Sequence, residues 1–226
     1  MLLSVVFSFR NEEDVLDILI ERLQKTLNPL DIDYELIFVN DASTDGSLEL
    51  LFNLHEKDKR IKIINMSRRF GVAPCVMAGL RHTKGDAVVY MDSDLQDPPE
   101  LIPALLEKFK EGADVVNTTR TKRNGESVFK MWLTKRAYRV INFVSDIDIP
   151  ENTGDFKLLS RRAVDQLINL NEYDPFMRGL VRWIGFKQVQ VFYEREARFA
   201  GKTHFSLFRS LQPTEEFIRG LVSFSE

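Results

Sequence analysis

The sequence predicts an α/β fold in which a mostly parallel, twisted sheet is flanked by helices. Three observations predict it. Short runs of β-branched and aromatic residues alternate with longer segments whose apolar residues recur at helical spacing. Polar and turn-forming residues end each run. The connecting segments are long enough to hold a helix, as parallel strand pairs require.

The first strands and helices come from two strand–helix units. Compact apolar runs ended by polar residues predict strands at Leu3–Phe9 and Tyr34–Asn40. Between them, Glu13–Thr26 has apolar residues on one helical face, which predicts an amphipathic helix. A second helix is predicted over Ser47–Lys57, and either Asp45 or Ser43 can cap it.

Three further apolar runs complete the predicted sheet. Pro98 and Pro99 suit the first turn of a helix, and Glu111 with Gly112 would end it. The predicted strands are Ile61–Met66, Ala87–Met91 and Asp114–Thr119, and the predicted helices are Ala73–His82 and Leu101–Lys110. Ligands of such sheets bind at the carboxyl ends of the strands, so a site is expected there.

Composition excludes several classes of protein. The 226 residues are 44% apolar and 29% charged, which indicates a globular chain and excludes disorder. The formal net charge of −3 gives no general cationic field, so a nucleic-acid partner is not expected. One cysteine and three scattered histidines exclude an internal disulfide and a zinc finger. No Gly-x-Gly-x-x-Gly follows the first strand, which disfavours a dinucleotide oxidoreductase.

A basic amphipathic segment, about residues 120–145, interrupts this acidic balance. Between Arg120 and Arg139 there are seven basic residues and one acidic residue, Glu126. Apolar residues at near-helical spacing accompany them, so the segment packs on the core, lies on an anionic membrane surface, or does both with different faces. A second amphipathic segment spans residues 205–226.

The fourth strand runs directly into Asp92 and Asp94. Residues two apart leave a strand on the same side, about 6.6 Å apart along its axis, so both carboxylates can converge on one ligand. A hard cation such as Mg²⁺ or Mn²⁺ would remove their repulsion and leave positions for water and phosphate oxygens. The alternative is a polar loop in which Asp97 caps a helix. Polar residues also end the first two strands, at 10–12 and 40–46, where a base and ribose would lie.

Eight blocks of sequence resemble the motifs of family 2 glycosyltransferases, and more narrowly the polyprenyl-phosphate glycosyltransferases. They are residues 8–12, 39–46, 67–71, 91–101, 154–161, 176–180, 183–186 and 198–202. The resemblance implies a GT-A fold, a nucleotide-diphosphate sugar donor in which uridine is favoured over guanosine as the base, and a polyprenyl phosphate acceptor. By the same resemblance we expect a catalytic domain at 1–204 and a juxtamembrane segment at 205–226, without its membrane anchor. It also implies inversion at the anomeric carbon. Family members often have Gly at the position of Ala42.

The resemblance also implies roles for individual residues. Asp94, Asp155 and Arg120 would be catalytic. The metal, Mg²⁺ or Mn²⁺, would be held by Asp92, Asp94 and Gln96. The acceptor phosphate would be held by Arg120, Lys130 and Thr134. The expected donor contacts are Phe9, Asn11, Glu12, Asp41, Asp92 and Arg198.

Asp155 has two interpretations. It either acts as a base or positions the acceptor, or it caps the segment that begins at Phe156. A phosphate monoester has its second pKa near about 6 and needs no strong base, whereas a saccharide hydroxyl would make Asp155 indispensable. A saccharide acceptor and a non-catalytic nucleotide-sugar-binding domain are therefore the alternatives. A lipid acceptor implies the cytoplasmic face of a membrane, with peripheral attachment or as part of a longer integral membrane protein. The sequence leaves homo-oligomerisation open.

Overall fold

A computed structural model describes residues 1–121, 153–170, 172 and 175–194 of the chain. Within these ranges seven strands form one sheet in the order β3-β2-β1-β4-β6-β5-β7. The strands are β1 (Leu2–Phe9), β2 (Asp33–Asn40), β3 (Ile61–Asn65), β4 (Ala87–Asp92), β5 (Val115–Arg120), β6 (Thr153–Ser160) and β7 (Gln188–Tyr193). The helices are α1 (Glu13–Leu27), α2 (Ser47–Lys57), α3 (Val72–His82), α4 (Ile102–Lys110), α5 (Arg161–Asn169) and α6 (Met177–Trp183), and a 3₁₀ turn spans Pro99–Leu101.

The predicted α/β fold is confirmed. The five predicted strands and four predicted helices are present, with ends within one residue of those expected. Four elements of the described chain were not predicted from the sequence: β6, α5, α6 and β7. Strand β6 has no continuous apolar run because Asp155 and Lys157 interrupt it.

The sheet is mostly parallel. Strands β3, β2, β1 and β4 pair in parallel, and β5 pairs in parallel with β7. Strand β6 lies between β4 and β5 and runs antiparallel to both. Its register with β5 shifts between Asn117 and Thr119, an irregularity of the kind that re-aims side chains beside active sites.

Each face of the sheet is covered by helices, so the inner strands β1, β2, β4 and β5 are buried on both sides, whereas β3 and β7 at its two ends are partly exposed. One apolar cluster joins a face of the sheet to α1, α2 and α4. It includes Phe7 stacked on Phe38, with ring centroids 4.8 Å apart. The other cluster joins the opposite face to α3, α5 and α6. Ser160 is the N-cap residue of helix α5, and its Oγ accepts a hydrogen bond from the backbone N–H of Ala163, so this helix is capped by a side chain.

The strand directions bring several chain segments to one edge of the sheet. Phe9 pairs with Asn40, and Ser8 pairs with Asp92, at the carboxyl ends of β1, β2 and β4. Arg120 ends β5 at the same edge, and the antiparallel β6 begins there. In the part of the chain that the structure describes, no helix is long and apolar enough to cross a bilayer.

Candidate active site

The loop after β4 presents the predicted metal ligands to one side. Asp92, Asp94 and Gln96 are partly exposed, whereas the residues between them are buried. Leu95 has a φ of 59°, in the left-handed region that non-glycine residues rarely adopt, and it is 1% exposed. Asp94 Oδ1 accepts a hydrogen bond of 3.1 Å from the Gln96 amide. The loop is therefore a fixed turn that carries oxygen ligands.

These residues fit a hard divalent cation. Two carboxylates and a side-chain amide supply only oxygen ligands, as Mg²⁺ and Mn²⁺ prefer. Among residues 1–121, 153–170, 172 and 175–194, no three acidic, histidine or cysteine side chains converge on one point. Such a site would therefore be completed by substrate and water oxygens.

The loops after β1 and β2 are joined by side-chain hydrogen bonds. The backbone N–H of Asn11 donates to Ser43 Oγ at 3.0 Å, and the side-chain Oδ1 of Asn11 accepts from the backbone N–H of Thr44 at 2.8 Å. The Glu12 amide donates to Ser47 Oγ at 2.9 Å, so the predicted donor contacts Asn11 and Glu12 sit in this joint. Neither predicted cap occupies the N-cap position of α2, which is Gly46 and has no side-chain cap. Asp45 accepts a hydrogen bond of 3.1 Å from the backbone N–H of Ser47, and Ser43 Oγ accepts one from Asn11.

Asp41 is held by the loop that follows β3. Its side chain is 5% exposed and accepts backbone hydrogen bonds from Phe70 at 2.6 Å and Gly71 at 3.1 Å. The neighbouring Ala42 has a φ of 54°, a conformation that favours Gly. The Phe9 side chain is 3% exposed and packs edge-on against Phe38, so any donor contact at Phe9 would come from its backbone.

Arg120 contacts Asp97, in the loop after β4, both directly and through Tyr193. Tyr193 Oη donates to Asp97 Oδ1 and accepts from Arg120 Nε at 3.2 Å. Arg120 Nη2 is 3.7 Å from Asp97 Oδ1. Burial acts to lower the pKa of Arg120, but its bond to Tyr193 and the charge of Asp97 outweigh this and raise it. The interpretation of Asp97 as a helix cap is wrong, because Pro98 precedes the 3₁₀ turn and no side chain caps it.

Asp155 forms a two-bond ion pair with Arg178 of α6. Arg178 Nε and Nη2 donate to the two carboxylate oxygens at 2.8 and 2.6 Å. Desolvation acts to raise the pKa of Asp155, but the hydrogen bonds and charge of Arg178, with Lys157 and Arg120, lower it below its usual value. Asp155 lies within β6, as does Phe156, so the capping interpretation is wrong.

A buried polar group lies next to this ion pair. Lys157 is 1% exposed, and its Nζ donates to Asn117 Oδ1 at 2.8 Å. Burial lowers the pKa of Lys157 to about 7, while Asp155 acts to raise it. Tyr90, paired with Lys157 across β4 and β6, has a buried hydroxyl without a hydrogen-bond partner within the described ranges.

Three predicted site residues, Lys130, Thr134 and Arg198, lie outside the described residues, as do the basic segment from residue 122 onward and residues 205–226. Conversely, Arg178 and Tyr193 were not predicted as site residues. Arg178 lies in one of the sequence blocks above, but nothing near it in sequence names its partner. Tyr193 is 96 residues from Asp97, and no local pattern indicates such a contact.

Comparisons with known proteins agree with this architecture. The model of "Glycosyl transferase family 2" matches residues 4–168. An uncharacterized glycosyltransferase, YkcC, of Bacillus subtilis is 44% identical over 98% of this chain and 68% of its own length. A bactoprenol glucosyl transferase of Shigella phage SfX is 36% identical over 100% of this chain and 73% of its own.

A solved structure shares the fold. The mannosyltransferase PcManGT from Pyrobaculum calidifontis, in complex with GDP-Man and Mn²⁺, superposes with a TM-score of 0.65 at 17% identity. The superposition covers 97% of this chain and 64% of that one. The fold is that of GT-A glycosyltransferases. The family match, which extends over most of the chain, and the two relatives above 30% identity show that this chain belongs to glycosyltransferase family 2.

Proposed function

We propose that this glycosyltransferase transfers a sugar from a nucleotide-diphosphate sugar, a UDP-sugar, to polyprenyl phosphate at a membrane surface, with Mg²⁺ or Mn²⁺ and with inversion. One observation carries the proposal. Asp92, Asp94 and Gln96 are accessible at the carboxyl edge of the sheet, while the residues between them are buried. Arg120 ends β5 at that same edge. An anionic pair of substrates needs this combination of carboxylates for a metal and a cation for a phosphate.

The donor would bind over the loop after β4. Asp92 and Asp94 would hold the cation, with the Gln96 side chain as a further oxygen ligand. When bound, the cation neutralises the diphosphate and stabilises it as the leaving group. The structural neighbour PcManGT is in complex with GDP-Man and Mn²⁺, which supports a nucleotide sugar and a divalent cation as ligands of this fold. The base and ribose would lie over the joined loops that carry Asn11, Glu12 and Asp41, and Arg198 would contact the donor phosphates.

The acceptor would enter beside Arg120. A phosphate monoester is largely dianionic at neutral pH and can attack the anomeric carbon directly. The new bond joins a phosphate oxygen to the anomeric carbon, while the bond to the diphosphate oxygen breaks on the opposite face, and the nucleoside diphosphate leaves. Arg120, with Lys130 and Thr134, would offset the repulsion between the two anionic substrates.

A polyprenyl acceptor is supported by the relative named as a bactoprenol glucosyl transferase and by the basic segment from residue 120 to 145. Basic residues near an anionic leaflet contribute roughly 1 kcal/mol each, so this segment suits the membrane surface where such a lipid resides. The proposal places the enzyme there as a membrane-associated protein.

Asp155 has a positioning role in this proposal. Its two-bond pairing with Arg178 and its lowered pKa make it a weak base. A saccharide hydroxyl would need a base with a pKa near the operating pH, so these properties favour the phosphate acceptor over the saccharide. Asp155 would hold Arg178 and, through its negative charge, orient Arg120 nearby.

Product partition tests the proposal. The chain is incubated with Mn²⁺, polyprenyl phosphate in detergent and a panel of radiolabelled UDP- and GDP-sugars. We expect label from a UDP-sugar to pass into the organic phase. If the label stays in water with every donor, while a soluble saccharide becomes labelled, the lipid acceptor is refuted.

Two variants make the test specific. Asp94→Asn should reduce transfer by about 100-fold or more, because a charged ligand of the metal is lost. Asp31→Asn removes an exposed carboxylate just before β2, at the opposite end of that strand from the site, and should leave transfer unchanged. A thermal-shift panel of nucleotide diphosphates, with and without Mn²⁺, identifies the base, because ligands that bind only the folded state stabilise it. Equal shifts for wild type and Asp94→Asn would contradict the metal assignment.

A further inference from the structure

One hydroxyl group connects the loop after β4 with the arginine at the end of β5. Tyr193, the last residue of β7, donates its Oη hydrogen to Asp97 Oδ1. The same oxygen accepts a hydrogen bond of 3.2 Å from Arg120 Nε. Arg120 and Tyr193 face each other in the parallel register of β5 and β7. The bond therefore crosses adjacent strands at the edge where the site lies.

The three side chains differ in exposure in a way that suggests separate roles. Asp97 is 0% exposed and Tyr193 is 7% exposed, whereas the Arg120 side chain is 24% exposed. Burial, together with the charge of Asp97, raises the pKa of Tyr193 to about 12, so its hydroxyl stays protonated. Of the three, only Arg120 is substantially exposed. We call the buried pair Asp97 and Tyr193, on which Arg120 rests, the support.

The support also touches β6. A Cβ atom at Gly154 would lie 3.7 Å from Arg120 Nη2, 3.7 Å from Tyr193 Oη and 3.3 Å from Thr118 Oγ1. The backbone next to Asp155 is therefore packed directly against the Arg120–Tyr193 pair. A shift of this pair would therefore also displace the start of β6 and the loop after β4.

We propose that Tyr193 is a positioning residue, which fixes the guanidinium of Arg120 relative to the loop carrying Asp94 by bonding Arg120 and Asp97 through one hydroxyl. The inference rests on the proposed function, in which Arg120 binds the acceptor phosphate. An arginine side chain has several rotatable bonds, and a hydrogen bond at Nε fixes the plane of the guanidinium and so the directions of its remaining N–H donors. Such preorganisation lowers the cost of placing a charge opposite the reacting phosphate.

The test combines Tyr193→Phe with Arg120→Lys in a double-mutant cycle. Lysine keeps the positive charge at 120 but has no Nε–H to be oriented. Tyr193→Phe should lower kcat/KM for polyprenyl phosphate by about 10-fold, and the KM for the donor should change less than about 2-fold. In the Arg120→Lys background, Tyr193→Phe should have almost no further effect. A further loss of about 10-fold in that background would overturn the proposal.

Tyr34→Phe is the matched control. Tyr34 is buried near the amino end of β2, at the opposite end of the strand from the site. Its hydroxyl also donates a side-chain hydrogen bond, of 2.7 Å, to Asn28 Oδ1. Both variants remove one buried hydroxyl, but only Tyr193→Phe should affect acceptor kinetics. An equal kinetic loss in Tyr34→Phe would mean that general destabilisation explains the effect, and the inference would fail.

A measurement without turnover separates this inference from the proposed function. The Nε–H resonance of Arg120 is assigned by its loss in Arg120→Lys, and its exchange with solvent is followed by NMR. Exchange should be about 10-fold faster in Tyr193→Phe than in wild type and Tyr34→Phe. Equal exchange rates overturn the role of Tyr193 even if lipid transfer occurs. If exchange is slow in wild type but no sugar is transferred to the lipid, the acceptor assignment is refuted. A role for Tyr193 in binding that acceptor is then refuted as well.

Discussion

The stability of this protein should rise with pH just above neutrality because of Lys157. Its ammonium group is 1% exposed in the sheet and hydrogen-bonded to Asn117. Burial lowers its pKa from 10.5 to about 7, against the opposing attraction of Asp155. Between these two values the unfolded chain carries a proton on Lys157 that the folded chain has released. The unfolded state then binds more protons, so the free energy of unfolding increases with pH in this window.

The size of the effect follows from the pKa difference. One pKa unit corresponds to about 1.4 kcal/mol, and near pH 7 the folded lysine is already half deprotonated. From about pH 7 to about pH 8.5, the free energy of unfolding should therefore rise by about 1.5 kcal/mol. Cys75 opposes this rise only above the range: burial raises its pKa from 9.0 to about 12, so the unfolded thiol ionises first and lowers the free energy of unfolding mainly above about pH 9.

Urea unfolding at several pH values measures the slope. Lys157→Met fills the same space without a titratable group and should remove the rise. Lys25→Met, at an exposed position of α1, is the control and should keep it. If wild type shows no increase between these pH values, or if Lys157→Met retains the increase in full, Lys157 is not the buried, largely neutral amine described here.

Three further variants have expected outcomes in stability or titration. Ala42→Gly should raise the free energy of unfolding, measured in urea, by about 0.5 kcal/mol, because Gly relieves the left-handed φ of 54° at some entropic cost; a lower free energy of unfolding would contradict this. Gly79→Ala should destabilise by about 2 kcal/mol in urea unfolding, because its Cβ would crowd Val6 Cγ1; the added change Val6→Ala should restore part of the loss, and independent effects would refute the contact. Arg178→Met should raise the pKa of Asp155 in a carboxyl NMR titration, because burial is then less opposed; an unchanged pKa would show that Arg178 does not set it.

The loop after β4 shows where local sequence is sufficient. An apolar run that ends in Asp92 and Asp94 predicts the strand and predicts that both carboxylates leave it on the same side, since the alternation of side chains is a property of the local backbone. In the structure β4 is present and both carboxylates are partly exposed. The same local information misplaced Asp97, which was interpreted as a cap on the evidence of the prolines after it. Its partners, Tyr193 and Arg120, come from two other strands.

Strand β6 shows the opposite case. Its charged residues hide the strand pattern, because Asp155 and Lys157 are acceptable in a buried strand only when other chain segments supply their partners. Those partners are Arg178 from α6 and Asn117 from β5. A periodicity argument therefore fails to predict this strand, although its motif carried the family resemblance.

The sequence by itself determined the alternation of strands and helices, the acidic turn after β4 and membership of a glycosyltransferase family. These features depend on hydrophobic periodicity and on short runs of residues whose chemistry acts locally. The tertiary structure decided the antiparallel insertion of β6, the pairing of Asp155 with Arg178 and the contact of Tyr193 with Asp97 and Arg120. Packing removes part or all of the water around these groups, and which charges and hydrogen bonds replace it depends on chain segments that are distant in sequence.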